Sequence, residues 1–139
     1  MSTVYFHKED TDFQITRGKS YVSWIKEVII LEKFLIGNLN FIFCSDSYLL
    51  KINKEHLNHN TFTDIITFNY NVDKLIAGDI FISIDRIKEN SSSLKVPFDT
   101  ELKRVIIHGV LHLIGYNDKT AEEVEIMRAK EDFYITLFN

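Results

Sequence analysis

The residues best suited to chemistry in this sequence are two histidines and an aspartate in its last third. His108 and His112 stand four positions apart, and Asp118 follows six positions later. Side chains four residues apart share one face of an α-helix, and Gly115 can end that helix and turn the chain back. Three protein ligands leave a fourth position open, as in catalytic zinc sites. The spacing therefore predicts a catalytic metal site at His108, His112 and Asp118.

The residue after the first histidine decides between two kinds of chemistry. The spacing His-x-x-x-His-x-x-Gly-x-x-[His/Asp] is shared with metzincin proteases, but zinc proteases carry a glutamate directly after the first histidine, where it transfers protons. Here that position is Gly109, which can neither accept nor donate a proton. A metal ion can still make water more acidic and polarise an oxyanion, and phosphodiester cleavage can use both effects. Protease chemistry is therefore disfavoured.

Three blocks of the sequence resemble one known family. Residues 108–118 are similar to the pattern His-Gly-x-Leu-His-Leu-x-Gly-Tyr-Asp-His of the YbeY family of bacterial ribosomal-RNA maturation factors. Residues 52–53 and 63–68 resemble that family's Leu-Asn followed by Thr-Asp-Val-Leu-Ser-Phe, and residues 77–83 resemble its Leu-Gly-Asp-Ile-x-Ile-Ser. The blocks come in the family's order and spacing. Together they account for the chain from about residue 50 to 118, and because the length also fits the family, we expect the resemblance to cover the whole chain.

The resemblance implies a metal-dependent endoribonuclease, a hydrolase that holds one zinc ion and cuts single-stranded RNA. It further implies maturation of the 3′ end of 16S ribosomal RNA and ribosome quality control, with the small ribosomal subunit and its associated factors as partners and no DNA substrate. No catalytic side chain beyond the metal ligands is assigned. Two alternatives stay open: a non-catalytic ribosome-assembly factor stabilised by its metal, and a metal-dependent hydrolase of another bond.

Two positions differ from the family pattern. The family's last ligand is a histidine, whereas here it is Asp118, and aspartate oxygen is also an accepted zinc ligand. The family carries an arginine shortly before its Thr-Asp pair, and ungapped alignment puts Leu57 there. A leucine cannot neutralise a phosphate, so either another cation supplies that charge or the nuclease activity is weakened or absent. The candidate cations are His59, Lys54 and Arg86.

Length and composition predict one domain covering residues 1–139. The chain is 45% hydrophobic and 26% charged, which is enough apolar content for one compact core. Its one cysteine, Cys44, excludes an internal disulfide and lies in an apolar run, so we expect a buried thiol. The first residues lack a signal-like apolar segment, and no apolar run approaches the ~18 residues that span a bilayer. We therefore expect a cytoplasmic protein without a membrane partner.

Charged residues are unevenly distributed along the chain. The net charge of −4 does not by itself indicate an RNA-binding protein. Acidic residues near the C-terminus are typical of a solvated helix face, whereas basic residues around the predicted site permit a local basic surface. The acidic set is Glu122, Glu123, Glu125, Glu131 and Asp132, and the basic set is Lys88, Lys95, Lys103, Arg104 and Lys119.

Hydrophobic periodicity predicts a single α+β domain with a mixed sheet of about four strands. Strands are predicted at residues 4–6 (with 13–15 as a candidate partner), 39–44, 65–70 and 76–84, the last two forming a hairpin. Helices are predicted from Gly18 to about Ile36, after Ser45-Asp46, after Asp85 up to a loop at 91–97, from Asp99 or Thr100 to 114, and over 121–137.

The predicted connections place the metal site. The first strand, helix and second strand should form a right-handed parallel crossover. The helix with both histidines should pack on the sheet, with the metal at its C-terminal end in a cleft bounded by the hairpin. Asp64 and Asp79 are expected to cap backbone groups, with orientation of a histidine ring as the alternative. Tyr116 is expected to pack against the last helix, with stacking on an RNA base as the alternative.

Overall fold

The computed structural model describes residues 3–57 and 63–139, which form four strands and five helices. In chain order these are β1 (Val4–Lys8), α1 (Gly18–Leu31), β2 (Leu35–Cys44), α2 (Asp46–Leu57), β3 (Ile65–Asn69), β4 (Leu75–Ser83), α3 (Ile84–Leu94), α4 (Phe98–Ile114) and α5 (Ala121–Thr136). The predicted α+β class with a mixed four-stranded sheet is confirmed. Within the described residues, no helix is long and apolar enough to cross a bilayer.

The sheet has the strand order β1-β2-β4-β3. β1 and β2 run parallel, with Val4 opposite Leu39 and Lys8 opposite Phe43, as predicted for the first strand–helix–strand unit. β2 and β4 are also parallel, whereas β3 and β4 form the predicted antiparallel hairpin. Parallel neighbours need long connections, and α1 supplies the first while α2 and β3 supply the second.

The two faces of the sheet carry cores of different size, because alternate residues of a strand point to opposite faces. The larger core includes Phe41, Phe43 and Ile80 together with buried residues of α1 and α4. On the other face, Cys44 and Leu49 belong to a small cluster beneath α2. Burying each large apolar side chain contributes roughly 1.5–3 kcal/mol. The helix with the two histidines therefore lies on the more strongly stabilised side.

Two glycines let α4 lie close to the sheet. A Cβ atom at Gly109 would come within 2.7 Å of the Ile65 side chain and 3.1 Å of the Ile80 side chain. A Cβ atom at Gly78 would meet the backbone of β3 and come within 3.2 Å of Leu113. Close-packed interiors do not absorb such overlaps without shifting. Gly109 therefore faces the sheet and sets the distance between α4 and the strands.

Two predicted elements near the N-terminus are wrong. Residues 13–15 form no strand; the Phe13 ring instead packs edge-on against Phe43, with ring centroids 5.0 Å apart. Helix α1 ends at Leu31 rather than near Ile36, and β2 begins at Leu35 instead of residue 39. Ile36 pairs with Ile76 of β4, so sheet pairing overrides the helical pattern of this segment. The predicted burial of Cys44 is correct, and burial raises the pKa of its thiol to about 12.

The predicted loop at residues 91–97 is also too long. Helix α3 continues to Leu94, and the Ser91 hydroxyl donates to the Lys88 carbonyl inside the helix at 2.9 Å. Pro97, rather than Asp99 or Thr100, is the N-cap of α4. The first turn forms because the Thr100 and Glu101 backbone N–H groups donate to the Pro97 carbonyl. Proline is tolerated at this N-cap because its φ of −60° is compatible with the extended N-cap backbone and the helix does not use the N–H of that residue.

Candidate metal centre

The end of α4 directs the chain back toward the two histidines. Gly115 has a φ of 125°, a conformation that favours glycine. The N–H groups of Gly115 and Tyr116 donate to the Leu111 carbonyl at 3.1 and 3.0 Å, which closes the helix end. The side chain of Asn71, in the hairpin turn, donates to the Leu113 carbonyl at 2.7 Å. The last turn of α4 is therefore closed by its own backbone and bound by the hairpin turn.

The structure brings the three predicted ligands together. Nε2 of His108 lies 2.9 Å from Nε2 of His112. Oδ2 of Asp118 lies 3.2 Å from Nε2 of His108 and 3.4 Å from Nε2 of His112. Ligand atoms at 2.0–2.1 Å from a tetrahedral zinc stand roughly 3.3 Å from one another. The three atoms thus have nearly the mutual spacing of ligands around one small metal ion.

The other ring nitrogens show which atoms face the common point. Nδ1 of His112 lies 3.0 Å from the Tyr116 carbonyl, and Nδ1 of His108 lies 2.6 Å from a carboxylate oxygen of Glu131. Both partners are acceptors, so both Nδ1 atoms carry a proton. The Nε2 lone pairs therefore converge with the Asp118 carboxylate. Such converging acceptors are stabilised by a positive charge between them, and the donor set fits a divalent metal ion.

Glu131 supports the site although its sequence position suggested a solvated acidic face. It is only 4% exposed. Besides the His108 ring, it binds Nη1 of Arg104 at 2.9 Å. Carboxylates in this position fix the orientation of a metal-binding imidazole and raise its basicity. One signal was present: Glu131 lies four residues after Met127 and three before Tyr134, both buried, so it falls on the apolar stripe of α5.

Negative charge accumulates around the ligands. Burial alone would lower the pKa of His108, but the hydrogen bond and charge of Glu131, together with Asp118 and Asp64, raise it above its ordinary value. Burial raises the pKa of Asp64, despite the opposing effect of His108. A surplus of carboxylates around two imidazoles is expected where a cation binds.

A second carboxylate with a largely covered side chain, Glu32, holds the turn after α4. It accepts hydrogen bonds from the Tyr116 hydroxyl at 2.6 Å, from the Tyr134 hydroxyl, and from Nζ of Lys130 at 3.0 Å. Burial raises the pKa of Glu32, but these hydrogen bonds lower it below its ordinary value. Tyr116 packs against the last helix through this cluster, as predicted. Because the Tyr116 carbonyl also binds His112, Glu32 connects the metal site to α1 and α5.

The aspartate of β4 has neither of its predicted roles. Asp79 accepts a hydrogen bond from Nδ2 of Asn40 at 3.2 Å, between neighbouring strands. Its neighbours in β4, Gly78 and Ile80, face α4, so Asp79 points to the opposite side of the sheet. It therefore neither caps a turn nor orients a histidine. Asp64 differs from Asp79, because its side chain lies near His108. Its backbone carbonyl accepts a hydrogen bond from the Ser83 N–H at 3.0 Å.

The candidate replacements for the family's arginine lie elsewhere or are not described. Arg86 is bound to Asp46 at 2.9 Å and to Glu89 at 2.8 Å. Lys54 is an exposed residue of α2. Leu57 is the last residue of α2, and His59 lies outside the described residues. Two other arginines, Arg104 and Arg128, lie beside the metal site.

A cavity of about 450 Å³ opens onto His108 and Asp118, two of the predicted metal ligands. Helices α3, α4 and α5 form its walls, and the predicted hairpin contributes only Asp64, directly before β3. Arg104 lines the cavity but is paired with Glu131 and Asp132. The cleft beside the metal site is therefore mainly helical, in contrast to the predicted hairpin boundary.

Comparison with known proteins identifies the family. A family model described as Endoribonuclease YbeY matches residues 5–139. The chain is 50% identical to Endoribonuclease YbeY of Flavobacterium psychrophilum (94% of this chain, 93% of that one) and 49% identical to that of Cytophaga hutchinsonii (97% and 95%). The solution structure of TM1509 from Thermotoga maritima shares the fold, with a TM-score of 0.64 and 24% identity over 95% of this chain and 86% of that one. The chain therefore belongs to the YbeY family of endoribonucleases.

Proposed function

We propose that the chain is a zinc-dependent endoribonuclease that cleaves single-stranded RNA. Its proposed role is the maturation of the 3′ end of 16S ribosomal RNA, together with ribosome quality control. The proposed partners are the small ribosomal subunit and its associated factors in the cytoplasm, with no DNA substrate. The observation that carries this proposal is the convergence of His108, His112 and Asp118 on one point, in a chain that belongs to this family.

The triad, the hydrogen-bond partners of its histidines and the adjoining cavity have separate roles in such a site. A divalent ion bound by the triad supplies Lewis acidity, which makes water more acidic and draws charge from a phosphoryl oxygen. Glu131 and the Tyr116 carbonyl keep the imidazole protons on Nδ1, so that both Nε2 atoms are free to coordinate. The adjoining cavity gives a substrate access to the triad beside His108 and Asp118.

Hydrolysis of peptide bonds by the zinc-protease mechanism is disfavoured by the position of Gly109. Residue 109 faces Ile65 and Ile80 of the sheet, while His108 faces Asp118. A glutamate at position 109 would therefore point at these two side chains rather than at the triad. This supports RNA over peptides as the substrate of the proposed site.

A non-catalytic assembly factor is the second candidate function. It is favoured by Leu57 at the position where the family carries an arginine, and by the engagement of Arg86 with Asp46 and Glu89. In this alternative the metal ion only holds α4 and its following turn in place.

The test combines elemental analysis with RNA cleavage. We expect purified protein to contain one zinc per chain, and His112→Ala to lose both the metal and the cleavage of single-stranded RNA. His7→Ala, which removes an exposed histidine of β1, is the matched control and should retain both. Normal cleavage by metal-free His112→Ala protein would contradict the mechanism. A fully metal-loaded wild type that cuts no RNA would favour the assembly factor, and a gain of cleavage in Leu57→Arg would identify the missing cation as the reason.

A further inference from the structure

We propose that the cavity beside the metal triad is a subsite that holds one unpaired nucleobase of the RNA substrate. This inference rests on the proposed ribonuclease function and adds a specificity element to it. The cavity lies between α3, α4 and α5, and its volume of about 450 Å³ is within the range of small-ligand sites. A base is separated from its phosphate by one ribose. A phosphodiester at the triad therefore places an adjacent base within reach of the cavity.

The apolar walls of the cavity suit the flat face of a base. Leu94 of α3 and Val124 of α5 are 61% and 46% exposed at its rim. Val105 of α4 and Met127 of α5 are 3% and 2% exposed and form deeper parts of the wall. Extruded bases are commonly held between apolar or aromatic side chains. Exposed apolar residues around a concave site are a cost to the free protein, and a stacked base would cover them.

The polar groups of the cavity suit the edge of a base. Glu101 is 5% exposed, lines the cavity and is hydrogen-bonded to Asn90, which also lines it. Carboxylate and amide groups are the side chains that accept hydrogen bonds from the amino and imino groups of bases. A buried carboxylate with one side-chain partner has remaining acceptor capacity. Glu101 and Asn90 therefore provide the hydrogen-bonding end of the subsite.

The charges of the cavity disfavour a phosphate as its occupant. Four carboxylates line it, against two guanidinium groups, and Arg104 is already paired with Glu131 and Asp132. Asp118 and Glu131 serve the metal ion, His108 and Arg104, so Asp64 and Glu101 are the carboxylates left to face an occupant. They disfavour a second phosphate in the cavity, whereas a neutral base with N–H donors would be favoured. The carboxylates are Asp64, Glu101, Asp118 and Glu131, and the guanidinium groups are Arg104 and Arg128.

The test measures binding of the metal-loaded protein to a fluorescein-labelled single-stranded RNA 12-mer by anisotropy, with RNA integrity checked on a gel. A series of otherwise identical RNAs carries one abasic ribose at each position in turn. We expect one or two positions at which the lost base weakens binding to the wild type by about tenfold, the loss of one stacked base. Val124→Trp should fill the cavity from its rim, bind intact RNA about tenfold more weakly, and show no further loss at those positions.

Ile126→Trp is the matched control, because Ile126 lies on the same helix, is 44% exposed, and does not line the cavity. It should behave as the wild type, with unchanged metal content in both variants. If Val124→Trp does not fold, Leu94→Trp at the opposite rim replaces it. The subsite is ruled out if no abasic position weakens binding, or if Val124→Trp loses the same factor as the wild type at those positions.

The two proposals fail separately in this design. Abasic sensitivity in a metal-loaded wild type that cuts no RNA leaves the subsite standing and overturns the nuclease. Cleavage of RNA without any abasic effect on binding leaves the nuclease standing and overturns the subsite.

Discussion

Two glutamates whose side chains are largely covered support the candidate metal triad in different ways. Glu131 contacts a ligand directly, at 2.6 Å from the His108 ring, whereas Glu32 reaches the site only through Tyr116. Their side chains are 5% and 8% exposed, so each needs compensating partners. Arg104 and His108 compensate Glu131, while two tyrosine hydroxyls and a lysine compensate Glu32. The difference suggests that Glu131 governs the properties of one ligand, and Glu32 the position of the turn.

The largest effect is expected from Glu131→Ala. The variant leaves Arg104 and the His108 ring without their buried partner, so we expect a loss of about 3–5 kcal/mol in the free energy of unfolding. Metal affinity should fall roughly 10–100-fold, because the His108 ring loses its orienting acceptor. Denaturant unfolding and competition with a chelating dye measure the two effects. Asp132→Ala, which removes only the exposed partner of Arg104, is the control and should change both little. Unchanged metal affinity in Glu131→Ala would show that Glu131 is merely structural.

A smaller effect is expected from Glu32→Gln. The amide keeps the shape of the side chain but removes the charge that binds Lys130 and both hydroxyls, so the free energy of unfolding should fall by about 1–3 kcal/mol. Metal affinity should change less than in Glu131→Ala, since no ligand ring is contacted. A metal-affinity loss equal to that of Glu131→Ala, measured with the same dye, would remove the proposed distinction between the two glutamates.

The pH dependence of Glu32 sharpens the comparison further. Its pKa is lower in the folded protein than its ordinary value of 4.5, so its charged form stabilises the fold. This contribution is fully present above the unfolded pKa and is lost as the pH falls through the lowered folded pKa. The difference in unfolding free energy between wild type and Glu32→Gln should therefore be constant near neutral pH and shrink on acidification. Urea unfolding of both proteins across this range measures it, and a difference that grows with acidity would contradict a stabilising role for the charged carboxylate.

The smallest effect is expected from Tyr116→Phe. The variant removes one hydroxyl bonded to Glu32 but keeps the carbonyl that binds His112, so about 1 kcal/mol should be lost and metal affinity retained. In a double-mutant cycle with Glu32→Gln, the two substitutions should be non-additive, because one weakens and the other removes the same hydrogen bond. Strict additivity would mean that the hydroxyl does not stabilise the turn through Glu32.

The sequence predicted the parts of the site that depend on local geometry. His108, His112 and the turn at Gly115 follow from helical spacing and a glycine conformation, and the structure places them accordingly. Glu131 and Glu32 could not be assigned to the site in this way, because their partners are distant in the chain. Their roles depend on how α5 and the end of α1 pack against α4.

In the fold, too, the elements set by local sequence were predictable, and those set by contacts between distant residues were not. The hairpin of β3 and β4 was predictable because its strands alternate and are joined by a short polar turn. The end of α1 was not, because the pairing of Leu35 and Ile36 with β4 decides where the helix stops. Residues 13–15 have a strand-like pattern, yet Phe13 satisfies its apolar character by packing on aromatic rings. At the end of α1 and at residues 13–15, tertiary packing therefore determines a structure that differs from the one the local pattern predicts.

The close approach at Gly109 also limits how this scaffold can change its chemistry. Its missing side chain fixes the separation of α4 from Ile65 and Ile80. Acquiring the protease glutamate would require the Ile65 and Ile80 side chains to move aside, and the new side chain would still point at the sheet rather than at the triad. A substitution at position 109 alone therefore does not bring a carboxylate to the triad. The packing that stabilises the helix also acts as an evolutionary barrier between two metal-dependent activities.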